Sequence, residues 1–285
     1  MANLNLVSKA FGEGFGMARG NWKELFVQNV KIIVAGLVLT AVAGMLVGLL
    51  AALAGGAILG SAAGVWAGFA LGIFVALMVY AGMASVAYNV VEEVEGKARH
   101  NLLGNFKKNV LPVAVYTIIV MVLIYGIGYG PRLALMLSGA NISQNFALTF
   151  ALNIYETAVS VIIGLFIVFA MFELVLKGAG VLQCVGKSFS LVKANLIETI
   201  VFYLAYCIYS LVVGLVLGVV FAVLCGVPFM LGVMVSGIAG MGQATFVLAL
   251  LALFGGAFLV AFLAGTYTAG LPIAYRFWKL VRKEK

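Results

Sequence analysis

Six apolar stretches, each long enough to cross a bilayer, constrain this chain more than any other feature. They cover roughly residues 27 to 53, 57 to 90, 110 to 130, 147 to 176, 196 to 225 and 244 to 275. A helix needs about 20 such residues to span the hydrocarbon, and there every backbone donor and acceptor must be satisfied within the segment. Several runs exceed that minimum, which predicts tilt or protrusion into the headgroups. Of the 285 residues, 65% are hydrophobic and 9% charged, whereas a surface facing water carries about a quarter charged residues. The expectation is an all-α integral membrane protein with six transmembrane helices, forming one membrane domain over 1–285.

The positions of lysine and arginine set the orientation, because short cytoplasmic loops collect them. Of the seventeen cations only Arg132 falls on the side opposite the rest. Both termini are therefore expected in the cytoplasm. The net charge of +8 is read as this topology signal. It predicts no nucleic-acid partner, because the clusters hug the span ends. The first 26 residues place charges and glycines before any long apolar run, so no cleavable signal peptide is expected.

A short segment recurs before the first, third and fifth runs. The first copy reads Phe15-Gly-Met-Ala-Arg19-Gly-Asn21-Trp-Lys-Glu24, and the last reads Phe189-Ser-Leu-Val-Lys193-Ala-Asn195-Leu-Ile-Glu198. A looser copy, Leu103-Gly-Asn-Phe-Lys107-Lys-Asn109-Val-Leu-Pro112, has its Asn 88 residues after the first and 86 before the last. The chain thus reads as three parallel hairpin repeats, approximately 5–92, 93–178 and 179–280. Asn followed three residues later by Glu is a helix-start signature. Proline at the Glu position is tolerated in a first turn. Asn21, Asn109 and Asn195 are accordingly expected as helix caps. The residues before each are expected to form short amphipathic helices in the headgroup region. Arg19, Lys107, Lys108, Lys187 and Lys193 are the candidate lipid-headgroup contacts.

The string Lys187-Ser-Phe189-Ser-Leu-Val-Lys193-Ala-Asn195 running into an apolar helix, with its echoes at Phe15 and Leu103, resembles the membrane domain of glycerophosphoryl diester phosphodiesterase. The closer likeness is to prokaryotic six-span members of that group without the enzyme domain. The resemblance implies a helical membrane domain in a prokaryotic cytoplasmic membrane and says little about activity. It covers most of the chain through short motifs, and the soluble phosphodiesterase barrel is missing.

The chain has no Asp and a single His, His100. That disfavours aspartyl proteolysis, magnesium chemistry on acidic clusters and histidine metal sites. Cys184, Cys207 and Cys225 lack metal-like spacing. No catalytic residue, cofactor or metal is expected, and His100 reads as an ordinary interfacial residue.

Two polar features fall within the apolar runs. Thr149, Asn153, Glu156, Ser160 and Gly164 share one face of the fourth run, either as a solvated or structural polar edge or as the lining of a cavity. Glu156 there could pair with Arg132. Glu173 lies four residues before Lys177, the spacing of a helix-surface ion pair, or else joins the stripe as a candidate cavity residue for a proton or substrate. Gly128-Tyr129-Gly130 before Pro131 reads as a helix-terminating turn. Gly56, Gly60, Gly64, Gly68 and Gly72 form a ridge for close packing on the first run, and Gly214 with Gly218 repeats it in the fifth. Residues 225 to 243 are expected as a long apolar outer loop.

The reading that follows is a non-enzymatic multi-pass protein whose basic helices engage anionic membrane lipid, or a membrane protein partner, in membrane organisation or assembly. The alternative is a transporter of a small molecule or lipid with a cavity between the hairpins.

Overall fold

The computed structural model describes residues 4–59, 61–97, 100–139, 142, 145–239 and 241–283. Their side chains are described except at 4, 56–59, 61–62, 217–218, 220–239, 241–259 and 261. Ten α-helices are described: α1 (Leu4–Gly20), α2 (Trp22–Leu59), α3 (Ser61–Gly96), α4 (Leu102–Leu123), α5 (Gly130–Leu137), α6 (Phe146–Ile167), α7 (Ala170–Lys177), α8 (Val181–Ala194), α9 (Leu196–Ala239) and α10 (Met241–Lys283). A π-helical turn, Ile124–Tyr129, joins α4 to α5. Among the described residues five segments are long and apolar enough to cross a membrane: Trp22–Gly55, Ala63–Gly96, Leu102–Leu137, Phe146–Lys177 and Leu196–Val216. This is the pattern of a multi-pass membrane protein. The sixth expected run lies in α10, mostly where side chains fall outside the described set.

The spans bury little of themselves, and the hydrophobic core sits at one end, where the lysines and arginines gather. It joins Val7 and Met17 of α1, Leu25 of α2, Val86 and Val90 of α3, Phe172 of α7, Val192 of α8, Phe202 of α9 and Trp278 of α10. Phe202 and Phe277 stack at 3.9 Å, and Phe172 lies on Trp278 at 5.4 Å. Glu95 ties α3 to α10, accepting from the Tyr275 hydroxyl at 2.6 Å and Lys279 Nζ at 2.7 Å, with Arg276 Nη1 at 2.8 Å. Helices α1 and α10 cross so closely that a Cβ on Gly14 would fall 2.5 Å from the Ile273 Cα.

Helices α2 and α3 form the tightest pair. Gly64, Gly68 and Gly72 are buried. A Cβ at Gly72 would come within 2.6 Å of the Gly44 carbonyl oxygen, and one at Gly68 would collide with the Ala52 backbone. Gly60 lies outside the described residues, as do the side-chain surroundings of Gly56 and Gly218. Gly214 meets nothing within 4 Å among the described residues.

Several boundaries differ from expectation for identifiable reasons. The fourth run breaks at Val168 and Phe169, where buried Ser188 of α8 splints the gap. Its hydroxyl accepts from the Phe169 N–H at 3.1 Å and donates to the Phe166 carbonyl at 2.8 Å. Gly178, with φ +61°, then ends α7 in the left-handed conformation that suits glycine. Gly128-Tyr129-Gly130 does not stop the helix. Pro131 has no N–H for the Ile127 carbonyl four residues back; that carbonyl accepts from the Tyr155 hydroxyl at 3.1 Å, and the chain passes through a π turn into α5. The expected outer loop is helical on both sides of residue 240.

The three recurring asparagines do not act alike. Asn21 and Asn195 both donate their side-chain amide to the carbonyl four residues back, Met17 at 3.2 Å and Leu191 at 3.1 Å. The side chains thus close the preceding helix, while the backbone carbonyls accept from the Leu25 and Thr199 N–H groups at 3.0 and 2.9 Å and so open the next. Asn109 is not at a helix start. Asn101 caps α4, accepting from the Gly104 N–H at 3.0 Å, while buried Asn109 donates to Asn89 Oδ1 of α3 at 2.7 Å. The middle copy therefore forms no separate helix before its span. Helices α1 and α8 are separate, but each lays an apolar side on protein: Val7, Ala10 and Met17 of α1, and Cys184, Leu191 and Val192 of α8, are buried.

Candidate functional site

The break between α6 and α7 turns α7 inward and buries Glu173, which is 2% exposed. A carboxylate so far from water needs partners. It accepts from Trp278 Nε1 at 3.0 Å and has Arg282 Nε at 3.7 Å. Lys177, the partner suggested by spacing, instead lies 5.7 Å over the Trp278 ring, with the Arg282 guanidinium 5.4 Å from the same ring. Glu173 thereby holds Arg282 at the rim of a cavity of about 530 Å³ that is also lined by Gln183, Lys187 and Ser190 of α8. Lys187 is exposed there, as are Arg19, Lys107, Lys108 and Lys193 at the same end of the molecule. None of the five forms an ion pair among the described residues. Leu182 and Phe189 are exposed on a different face of α8 from Lys187. Below them burial pushes the Cys184 thiol up, so it is a packing group and not a nucleophile.

A second polar cluster forms around His100. Its Nδ1 lies 2.8 Å from Glu93 Oε2 and its Nε2 2.8 Å from Glu24 Oε1, while Asn105 donates to the other Glu93 oxygen at 2.7 Å. Partial burial alone pulls the imidazole down, but the hydrogen bonds and charges of Glu93 and Glu24 outweigh it and raise the pKa. His100 thus clasps the start of α2 to the end of α3, a role that spacing did not suggest.

The other polar region lies past the π turn. Arg132 Nε meets Glu156 Oε1 at 2.5 Å, and its Nη2 reaches Glu156 Oε2 at 3.1 Å and Asn153 Oδ1 at 2.6 Å. Glu156 is 8% exposed, a buried carboxylate paired with Arg132. A cavity of about 490 Å³ adjoins it, lined by Asn153, Thr157, Ser160, Tyr129 and Tyr203 among others. Of the rest of the stripe, Thr149 donates to the Ile142 carbonyl at 2.8 Å, and Gly164 meets nothing within 4 Å. The structure thus separates Glu173 from the stripe. It adds Tyr129 and Tyr203, which sequence spacing could not connect because they come from different elements.

Compared with known proteins, the chain matches no family model, no curated protein and no solved structure. No group of three or more metal-ligating side chains is found among the described residues. The two cavities differ in chemistry. The α8 cavity presents Lys187 and Arg282 beside the Glu173 carboxylate and the polar side chains of Gln183 and Ser190. The α6 cavity presents hydroxyls beside a neutralised ion pair.

Proposed function

We propose that this is a six-span, non-enzymatic protein of a prokaryotic cytoplasmic membrane, with both termini inside, that binds anionic lipid headgroups at its basic end and serves membrane organisation or assembly. The observation that carries this reading is the convergence of Lys187 and Arg282 on one cavity with Gln183 and Ser190. Lys187, which has no ion pair among the described residues, stands beside amide and hydroxyl groups and suits a phosphate, with Arg282 shared between it and Glu173 at 3.7 Å. Leu182 and Phe189, exposed on another face of α8, suit surrounding acyl chains. The common geometry of Asn21 and Asn195 supports descent of the first and third units from one hairpin. Ser188 and Phe189, which stacks on Phe166 at 4.8 Å, lie in the string that carries the resemblance to the phosphodiesterase membrane domain; membership in that group remains part of this proposal. A membrane protein partner on the same basic surface is compatible with it.

Transport through a space between hairpins has less support. Where Asn29 of α2, Tyr80 of α3 and Tyr267 of α10 meet, the void is about 10 Å³, room for one water at most.

Native mass spectrometry from nanodiscs containing phosphatidylglycerol tests the reading. Wild type should retain the lipid over phosphatidylcholine, and Lys187→Gln with Arg282→Gln should weaken retention about tenfold, in line with loss of one or two charge-assisted hydrogen bonds. Equal retention by the double variant overturns it.

A further inference from the structure

We propose that the cavity beside the Arg132–Glu156 pair is a binding site for a neutral, polyhydroxylated group such as a glycosyl headgroup. The charges in this site cancel. Two arginine nitrogens are committed to the two Glu156 oxygens, and Nη2 also holds Asn153 Oδ1. An anion arriving here meets the Glu156 carboxylate, and a cation meets the Arg132 guanidinium; neither finds an unpaired opposite charge.

What the cavity does offer is hydroxyl and amide chemistry. Tyr129, Ser160 and Tyr203 line it, and neither their hydroxyls nor Asn153 Nδ2 has a hydrogen-bond partner among the described residues. Thr157 has spent its proton on the Asn153 carbonyl at 2.7 Å and can only accept. These groups come from the π turn, α6 and α9, so three elements converge on one space. Glu156 and Ser160 lie about 15 and 21 Å along α6 from Phe146, at 1.5 Å per residue, within an apolar segment. Tyr129 is exposed and Ser160 and Tyr203 are half-buried, so a ligand can reach them, and an apolar occupant would leave their hydroxyls unpaired. A group that both donates and accepts satisfies them, while the tyrosine rings give apolar walls for its C–H faces. The cavity's about 490 Å³ falls within the roughly 300–1,000 Å³ of small-ligand sites. The polyol can come from the headgroup of a glycolipid or from a free sugar in solution.

The test uses the full chain in phosphatidylcholine nanodiscs, titrated either with monoglucosyl diacylglycerol in the bilayer or with methyl glucoside in the buffer, and followed by native mass spectrometry and the thermal unfolding midpoint. Saturable binding of the glucolipid alone supports the proposal with a lipid source, and saturable binding of methyl glucoside supports it with a soluble source. In either case Tyr203→Phe and Ser160→Ala, which each remove little more than a hydroxyl, should bind about tenfold more weakly, the effect of one lost hydrogen bond. The proposal is overturned if neither probe saturates wild type, if both variants bind as wild type does, or if phosphatidylglycerol at the same mole fraction shows the same sensitivity to both substitutions. The wild-type titration decides alone should a variant fail to fold. Failure here leaves the Lys187 and Arg282 site standing, since that cavity is lined by other residues.

Discussion

At the scale of single residues, His100 illustrates how protonation can hold two helices. A neutral imidazole has one N–H, yet both ring nitrogens face carboxylates at 2.8 Å. Both can donate only in the imidazolium form. The raised pKa means that the folded state binds this proton more tightly than the unfolded chain. The contribution to stability is therefore complete below the ordinary histidine value of about 6.5 and is lost as pH rises through the folded value. The unfolding midpoint of wild type should fall over that window, and His100→Gln should flatten the profile; identical profiles would show that the clasp contributes nothing. None of this was legible in the sequence, because Glu24 lies 76 residues from His100 and a loop histidine gives no periodic signal. The Arg132–Glu156 pair was more accessible to sequence reasoning: a lone cation on one side and a carboxylate in an apolar run leave few choices of partner.

At the scale of elements, hydropathy located the spans but not their interruptions. Length and apolar content predict a helix wherever a run is long enough, and α2, α3 and α6 begin or end close to expectation. The split of α6 from α7 depends on Ser188, a residue in another helix that satisfies the backbone groups at the break. The continuation through Gly128-Tyr129-Gly130 depends on a tyrosine hydroxyl 28 residues away. Such rescue comes from tertiary neighbours and leaves no local trace. The glycine ridge was legible, since small residues every four positions mark a face that another backbone can approach. Gly68→Ile should destabilise the α2–α3 pair by at least ~1–3 kcal/mol, the range for overpacking, because the obstructing atoms belong to the Ala52 backbone. Gly214→Ile, where nothing among the described residues lies within 4 Å, should leave the unfolding midpoint near the wild-type value. A Gly68→Ile midpoint as high as that of Gly214→Ile would remove the ridge from the packing argument.

At the scale of the whole molecule, the spans are fastened at one end. The N-terminal helix lies against the last turns of α10, with the Gly14 and Ile273 backbones nearly touching. Gly14→Leu should lift α1 from that seat and make the junction near Asn21 sensitive to limited proteolysis. Gly12→Leu, where a Cβ meets nothing within 4 Å, should not. Composition pointed to a membrane protein, but not to a core outside the bulk of the spans, because apolar residues facing lipid and apolar residues facing one another look the same in a hydropathy profile. The placement of that core has a consequence in time. One cluster contains both Val7 and Val281, so it cannot close while the ribosome still holds the residues around Trp278. The earlier spans must enter the bilayer and wait there with their basic end uncovered. For the length of its own synthesis, the chain depends on the membrane surface or a passing chaperone to shelter what α10 later seals.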